Sequence, residues 1–191
     1  VLAVEGKIDY PVFLFANVGE DSEHPDTLRY VAEIAMPYAA ANGVELVELR
    51  KRTRDGNTQT LIERINRTET TVPIPVRMGP GGAPGNRTCT SEFKIRVIEK
   101  EVRRRGATKE RKASVGLGIS LDEFHRMKTA EDPRTPYQLR EYPLIDLRLT
   151  RQDALNIIAR SGLPIPGRSA CFFCPFHRDD EWRRLARTQP D

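Results

Sequence analysis

Hydrophobic positions in this chain fall into short runs and helical stripes that alternate along its length. Residues 11–18, PVFLFANV, form a brief apolar run followed by turn formers, the pattern of a buried strand. Leu28, Val31, Ile34, Ala35 and Tyr38 then recur at helical spacing, predicting a helix over 27–41 that Asn42-Gly43 stops. Pro37 lies inside that stripe and predicts a kink or break, because proline has no N–H for the helical ladder. Residues 44–49, VELVEL, read as the next strand, and strands joined by a helix of this length lie parallel.

The alternation continues downstream. Residues 61–67 predict a helix, whereas 72–86, with four prolines and four glycines, predict a loop or an extended crossing. A helix over 90–105 turns Phe93, Val97, Ile98 and Val102 inward, and Gly106 ends it. Residues 113–119 and 143–149 read as further strands. Thr150 opens a helix with Asp153 in a capping-box-like position, and a last helix covers about 179–187. Strands alternating with helices predict an α/β fold, a doubly wound and mostly parallel sheet with flanking helices. Residues 1–7, VLAVEGK, read as the tail of a helix begun earlier, so the chain is expected to be the later part of a longer polypeptide.

Composition narrows the class. A chain of 191 residues fits one domain, with or without a small appendage, and needs no disulfide scaffold. With 31 basic and 27 acidic residues the net charge is +4, which favours anionic partners without requiring them. Three cysteines, an odd and low number, argue for free thiols in a reducing, cytoplasmic compartment. The apolar runs are too short to cross a bilayer and no signal sequence opens the chain, so no membrane partner is expected.

Candidate chemistry concentrates in SACFFCPFH, residues 169–177, which holds Cys171, Cys174 and His177. Cys89 adds a third thiol from RTCTSEFK, where a helix start and the cations Arg87 and Lys94 favour thiolate. Zinc would take Cys89, Cys171, Cys174 and His177 as a closed tetrahedral site. A 4Fe-4S cluster would take the three cysteines and leave one iron open. A thioredoxin-like pair fits less well, since that motif opens a helix after the first strand. Residues 17–27, NVGEDSEHPDT, lie at the carboxyl end of the first strand, where parallel sheets bind ligands; the same residues also read as a well-capped helix entry. The glycine-rich stretch 79–85 lacks the Lys-Ser/Thr of a phosphate-binding loop and reads as a plain loop. The basic run from Lys94 to Lys112 reads first as a solvated helix face and second as a phosphate-tracking patch. Glu123 and Arg126, just after a strand, either meet a nucleotide or form a salt-bridged helix start; His125 reads as structural.

In order along the chain, these segments resemble the phosphoadenosine phosphosulfate reductase-like branch of the PP-loop, or adenine nucleotide alpha hydrolase-like, superfamily. Asn17-Val-Gly19 with Pro25-Asp-Thr27 resembles the family's strand-end element, and Arg87, Cys89 and Lys94 resemble its cysteine-bearing helix start. Gly118 through Glu123 to Arg126, Pro143-Leu144 through Thr150 and Asp153, and the Cys171–Pro175 motif resemble the rest. The resemblance implies a Rossmann-like nucleotide-binding domain over 1–165, with a cysteine-rich segment and helix at 166–191 packing on it. It implies an enzyme using ATP or an adenylylated nucleotide for sulfur transfer or reduction, with RNA or DNA among the candidate substrates. Asn17, Gly19, Thr27, Arg87 and Gly118 are then expected at the nucleotide, and Cys89, Lys94, Glu123 and Arg126 at the chemistry. Arg87, Lys94 and Arg126 would contact phosphate or sulfate groups. The family's SGGxDS loop does not occur in these residues, and Asn stands at position 17 where the family has Asp. The alternative is a zinc-stapled nucleic-acid-binding or accessory module without catalysis.

Overall fold

The computed structural model describes residues 1–67, 72–78, 80, 82–85 and 87–188. It is a mixed α/β arrangement built on small parallel strand pairs. Strand β1 (Val12–Asn17) pairs in parallel with β2 (Glu45–Arg50), Val12 opposite Glu45 and Asn17 opposite Arg50. The crossover between them is helix α1, which runs as Pro25–Tyr30, a π-helical turn Val31–Ala35 and Met36–Ala41. The π turn answers the proline problem. Pro37 offers no N–H and its ring would crowd the preceding turn; the Met36 N–H instead reaches back to the Val31 carbonyl, widening the helix just before it. The expected break is thus an uninterrupted helix with one loosened turn.

Helix α2 (Leu61–Asn66) opens with a full capping box, Thr60 Oγ1 accepting from the Glu63 N–H while the Glu63 carboxylate accepts from the Thr60 N–H. A short antiparallel pair, β3 (Arg77–Met78) with β4 (Ala83–Pro84), follows inside the proline- and glycine-rich region; Gly79 and Gly81 lie outside the described residues. Helix α3 runs through Thr88–Thr90, a second π turn Ser91–Ile95 and Arg96–Arg104. Its buried Phe93 joins Val18 and Leu61 in the core, with Ile65, Ile74, Cys89, Cys171 and Phe173 packed around them.

The second parallel pair is β5 (Ala113–Gly116) with β6 (Gln138–Glu141). The expected strand at 143–149 is a correction. Pro143 suits the first turn of a helix, which forms as α4 (Pro143–Asp146), and Arg148 turns the chain at a left-handed φ of 55°. The strand lies just upstream instead. Tyr10, entering β1, ties the two pairs together: its hydroxyl donates to Glu141 at 2.7 Å. Its ring lies against Gly116 so closely that a Cβ there would sit 2.6 Å away. Helix α5 (Arg151–Arg160) has the predicted capping box between Thr150 and Asp153, and α6 (Asp179–Thr188) closes the described chain. Residues 1–7 form turns in place of the expected helix tail, with the Lys7 N–H bonding to the Leu2 carbonyl and Gly6 at φ 66°. No helix of the described residues is long and apolar enough to cross a membrane.

Candidate functional site

The carboxyl end of β1 leads straight into the site. Asn17 is buried; its Oδ1 accepts the Gly19 N–H at 2.8 Å and its Nδ2 donates to Glu48 Oε1 at 3.0 Å. An aspartate at 17 would face Glu48 with a second acceptor and no donor, so asparagine fits this position electrostatically. Gly19 adopts φ 125°, and a Cβ there would lie 2.5 Å from the Thr60 Cβ. Glycine is required because α2 begins against this turn. The chain then folds back, the Ser22 and Glu23 N–H groups both bonding to the Gly19 carbonyl. His24 Nδ1 accepts the Asp26 N–H and caps α1, and Thr27 is buried in its first turn. The nucleotide residues expected here, Asn17, Gly19 and Thr27, are thus engaged with their own chain.

That turn is where the distant cysteine segment docks. Glu23 and Cys171 form an antiparallel bridge, the His24 N–H reaching the Ala170 carbonyl at 3.0 Å and the Phe172 N–H the Ser22 carbonyl at 3.2 Å. Cys174 closes the CxxC turn through its N–H to the Cys171 carbonyl. Cys89 is placed by its N–H to the Pro73 carbonyl and packs on the same core as Cys171. Burial first, then the Glu23 charge, push the Cys171 thiol up to about 12; Lys94 works against them, while Cys174 and Cys89 add to the rise. The structure therefore brings the three expected thiols and Lys94 into one electrostatic neighbourhood. Among the described residues, however, no group of three or more His, Cys, Asp or Glu side chains is arranged to hold a metal ion.

Two residues that sequence reasoning did not single out stand at the centre. Glu23 has no solvent exposure; its Oε1 accepts from Ser169 Oγ at 3.3 Å, while Oε2 has no hydrogen-bond partner and lies 4.0 Å from Lys94 Nζ. His24 is also buried, its Nε2 without a partner, and burial lowers its pKa. Nothing in the pattern of 17–27 marked either one, since a glutamate and a histidine before a proline are ordinary loop residues. Residues 169–174 dock on them from the far end of the chain, with Lys94 also beside Glu23.

His177 is placed differently from a metal ligand. Its Nε2 lies 2.8 Å from the Cys171 carbonyl oxygen and its Nδ1 3.4 Å from Glu181 Oε2, so both ring nitrogens face oxygen acceptors. It ties the CxxC turn to α6, with its ring edge-on to Trp182. Glu181 is itself held: burial would raise its pKa, but the Arg178 N–H and the Arg168 guanidinium keep it at about 2. Arg87 lays its guanidinium over the Phe176 ring at 5.2 Å, at the edge of the same turn.

Glu123 and Arg126, expected at the chemistry, lie on a 3₁₀ segment (Leu121–Arg126) and pair with each other at 2.6 Å. Open space surrounds Gly118. No hydrogen bond or ion pair of the described residues joins this pair to the thiols.

Comparison of the chain with protein-family models, with curated proteins and with solved structures finds no match. The functional reading therefore stands on the residues themselves.

Proposed function

We propose that this chain is the nucleotide-binding part of an enzyme that uses ATP or an adenylylated nucleotide for sulfur transfer or reduction. Its fold would be the doubly wound, Rossmann-like sheet of the phosphoadenosine phosphosulfate reductase-like proteins it resembles. The observation that supports this is the convergence of thiols from segments about eighty residues apart, Cys89 with Cys171 and Cys174, at the carboxyl end of β1. A purely local knuckle would not need Cys89.

The donor chemistry suits an iron–sulfur cluster better than a closed zinc site. Three soft thiols are present, whereas the nitrogen that would complete zinc, on His177, faces oxygen acceptors. Cys89, Cys171 and Cys174 would hold the cluster, which would supply an iron able to bind a sulfur atom. Around them, Lys94 and Arg87 place two cations where the phosphate or sulfate of an incoming nucleotide would be drawn, and Phe93 and Phe173 pack with the half-buried Cys89 and Cys171. The buried Glu23 carboxylate opposes a second negative charge beside Cys171, so Lys94 is the residue that offsets its effect and favours thiolate there.

Anaerobic reconstitution with iron and sulfide tests the reading. The expected result is a visible-absorbing chromophore with iron and sulfide in equal amounts, lost in Cys89→Ser, Cys171→Ser and Cys174→Ser and kept in His177→Gln. Stoichiometric zinc with no chromophore would overturn it in favour of a zinc-stapled module.

A further inference from the structure

On the other side of α3 lies a groove of about 810 Å³, between that helix and the carboxyl end of β2 with the residues that follow it. Six cations line it: Arg50, Lys51 and Arg52 from the strand side, Arg96, Lys100 and Arg104 from the helix. Three carboxylates accompany them, and each is committed to a cation. Glu48 pairs with Arg50 at 2.7 Å, Glu92 with Lys51 at 2.8 Å and Glu101 with Arg104 at 2.6 Å. Arg96 and Lys100 are exposed and have no ion-pair partner among the described residues. They sit one helical turn apart, about 6 Å along the axis at 1.5 Å per residue. That is the scale on which successive phosphates follow one another along a strand.

We infer that this groove binds the phosphate backbone of a nucleic acid strand. The lining decides between that and a mononucleotide. Leu49 and Val97 are the apolar side chains among the described lining residues; no aromatic ring and no glycine offers a slot for a base or a backbone cradle for a triphosphate. Positive charge spread over just more than two turns of helix and one strand end suits a polyanion, in which each phosphate is met by a separate cation. Backbone contacts of this kind position a strand without reading its sequence. The inference goes beyond the reading of the thiols and does not depend on it: the groove can be tested on protein that holds no iron, and a cluster can form whether or not the groove binds.

The test is fluorescence anisotropy of the 191-residue chain with labelled single-stranded DNA and RNA of one sequence, titrated with salt. Binding should weaken linearly in log salt, and the Arg96→Ala/Lys100→Ala double variant should flatten the slope by roughly 1.4, two contacts at about 0.7 each. Both residues are exposed, so the variant should keep the wild-type circular dichroism and melting temperature. Equal binding of DNA and RNA supports a backbone-only groove, and tighter RNA binding supports the same groove with RNA as its strand. No binding at low salt, an unchanged slope in the double variant, or displacement of the oligonucleotide by equimolar ATP would overturn the inference.

Discussion

Helix α3 separates two regions that handle charge in opposite ways. On one side Lys94 stands 4.0 Å from Glu23, a carboxylate with no solvent exposure and one unpartnered oxygen, beside thiols packed on Phe93. On the other side, Lys51, Glu92, Arg104 and Glu101 pair at 2.6–2.8 Å around an open groove, and Lys51 also covers the outer face of the Phe93 ring at 4.2 Å. The fully buried Glu23 charge acts strongly in the first region because no water reaches it, although Lys94 and the thiols are half-buried. In the second, exposed charges such as Arg96 and Lys100 each count for little and their number carries the effect, the exception being Glu101, buried beneath Arg104 and Arg105. A buried charge shifts its neighbours one at a time, whereas exposed charges act through their sum.

The largest expected effect comes from the shared wall. Phe93→Ala should cost about 3–5 kcal/mol of stability by urea denaturation and loosen both regions at once, since Phe93 is fully buried between them.

Next is Glu101→Gln, on the groove side. Hydrogen bonds from Arg104, then from Arg105, hold the Glu101 carboxylate down at about 2 from its ordinary 4.5. A depressed carboxylate pKa contributes stability above 4.5 and loses it as pH falls through 2. Arg104 is well exposed, which screens the pair, so the variant should lose only about 1–2 kcal/mol at neutral pH. Denaturation across the acid range should show that difference closing between pH 4.5 and 2.

A smaller effect, read as reactivity while the core packing stays intact, should appear at Cys171. Glu23→Gln removes a charge that raises the thiol pKa, and Lys94→Met removes one that lowers it. At a fixed alkaline pH, alkylation of the Cys171 peptide followed by mass spectrometry should be faster in the first variant and slower in the second. Equal rates would show that the interior is screened like the groove and would erase the contrast. The smallest effect on stability belongs to Arg96→Ala and Lys100→Ala. Each should stay within about 0.5 kcal/mol of wild type in thermal melting, as expected of exposed side chains with no committed partner.

Much of the local architecture was legible because it depends on neighbours in sequence. The apolar run at 11–18, the stripe from Leu28 to Tyr38 and the Thr150–Asp153 cap all formed where the pattern placed them. The strand expected at 143–149 misled because an apolar run alone does not separate strand from short helix, and Pro143 settled it toward helix. Neither π turn was visible, since each is a single extra residue in a helical ring. The basic run from Lys94 to Lys112 concealed a division of labour. Arg104 and Arg105 clamp Glu101, and Arg103 stacks on the Tyr137 ring at 4.5 Å. Arg96 and Lys100 face the groove, where they meet Arg50, Lys51 and Arg52 from a strand the run does not include.

The β–α–β opening, the helix caps, the CxxC turn, the two contacts of His177 and the third thiol at a helix start were all set by local sequence. Each of these follows from bonds and side chains a few residues apart. That Glu23 is buried against Cys171 and that a groove of cations forms beside Phe93 comes from long-range packing. The burial of Glu23 depends on segments about one hundred and fifty residues apart meeting in space, the groove on segments about forty apart, and no local pattern along the chain encodes which of them will meet.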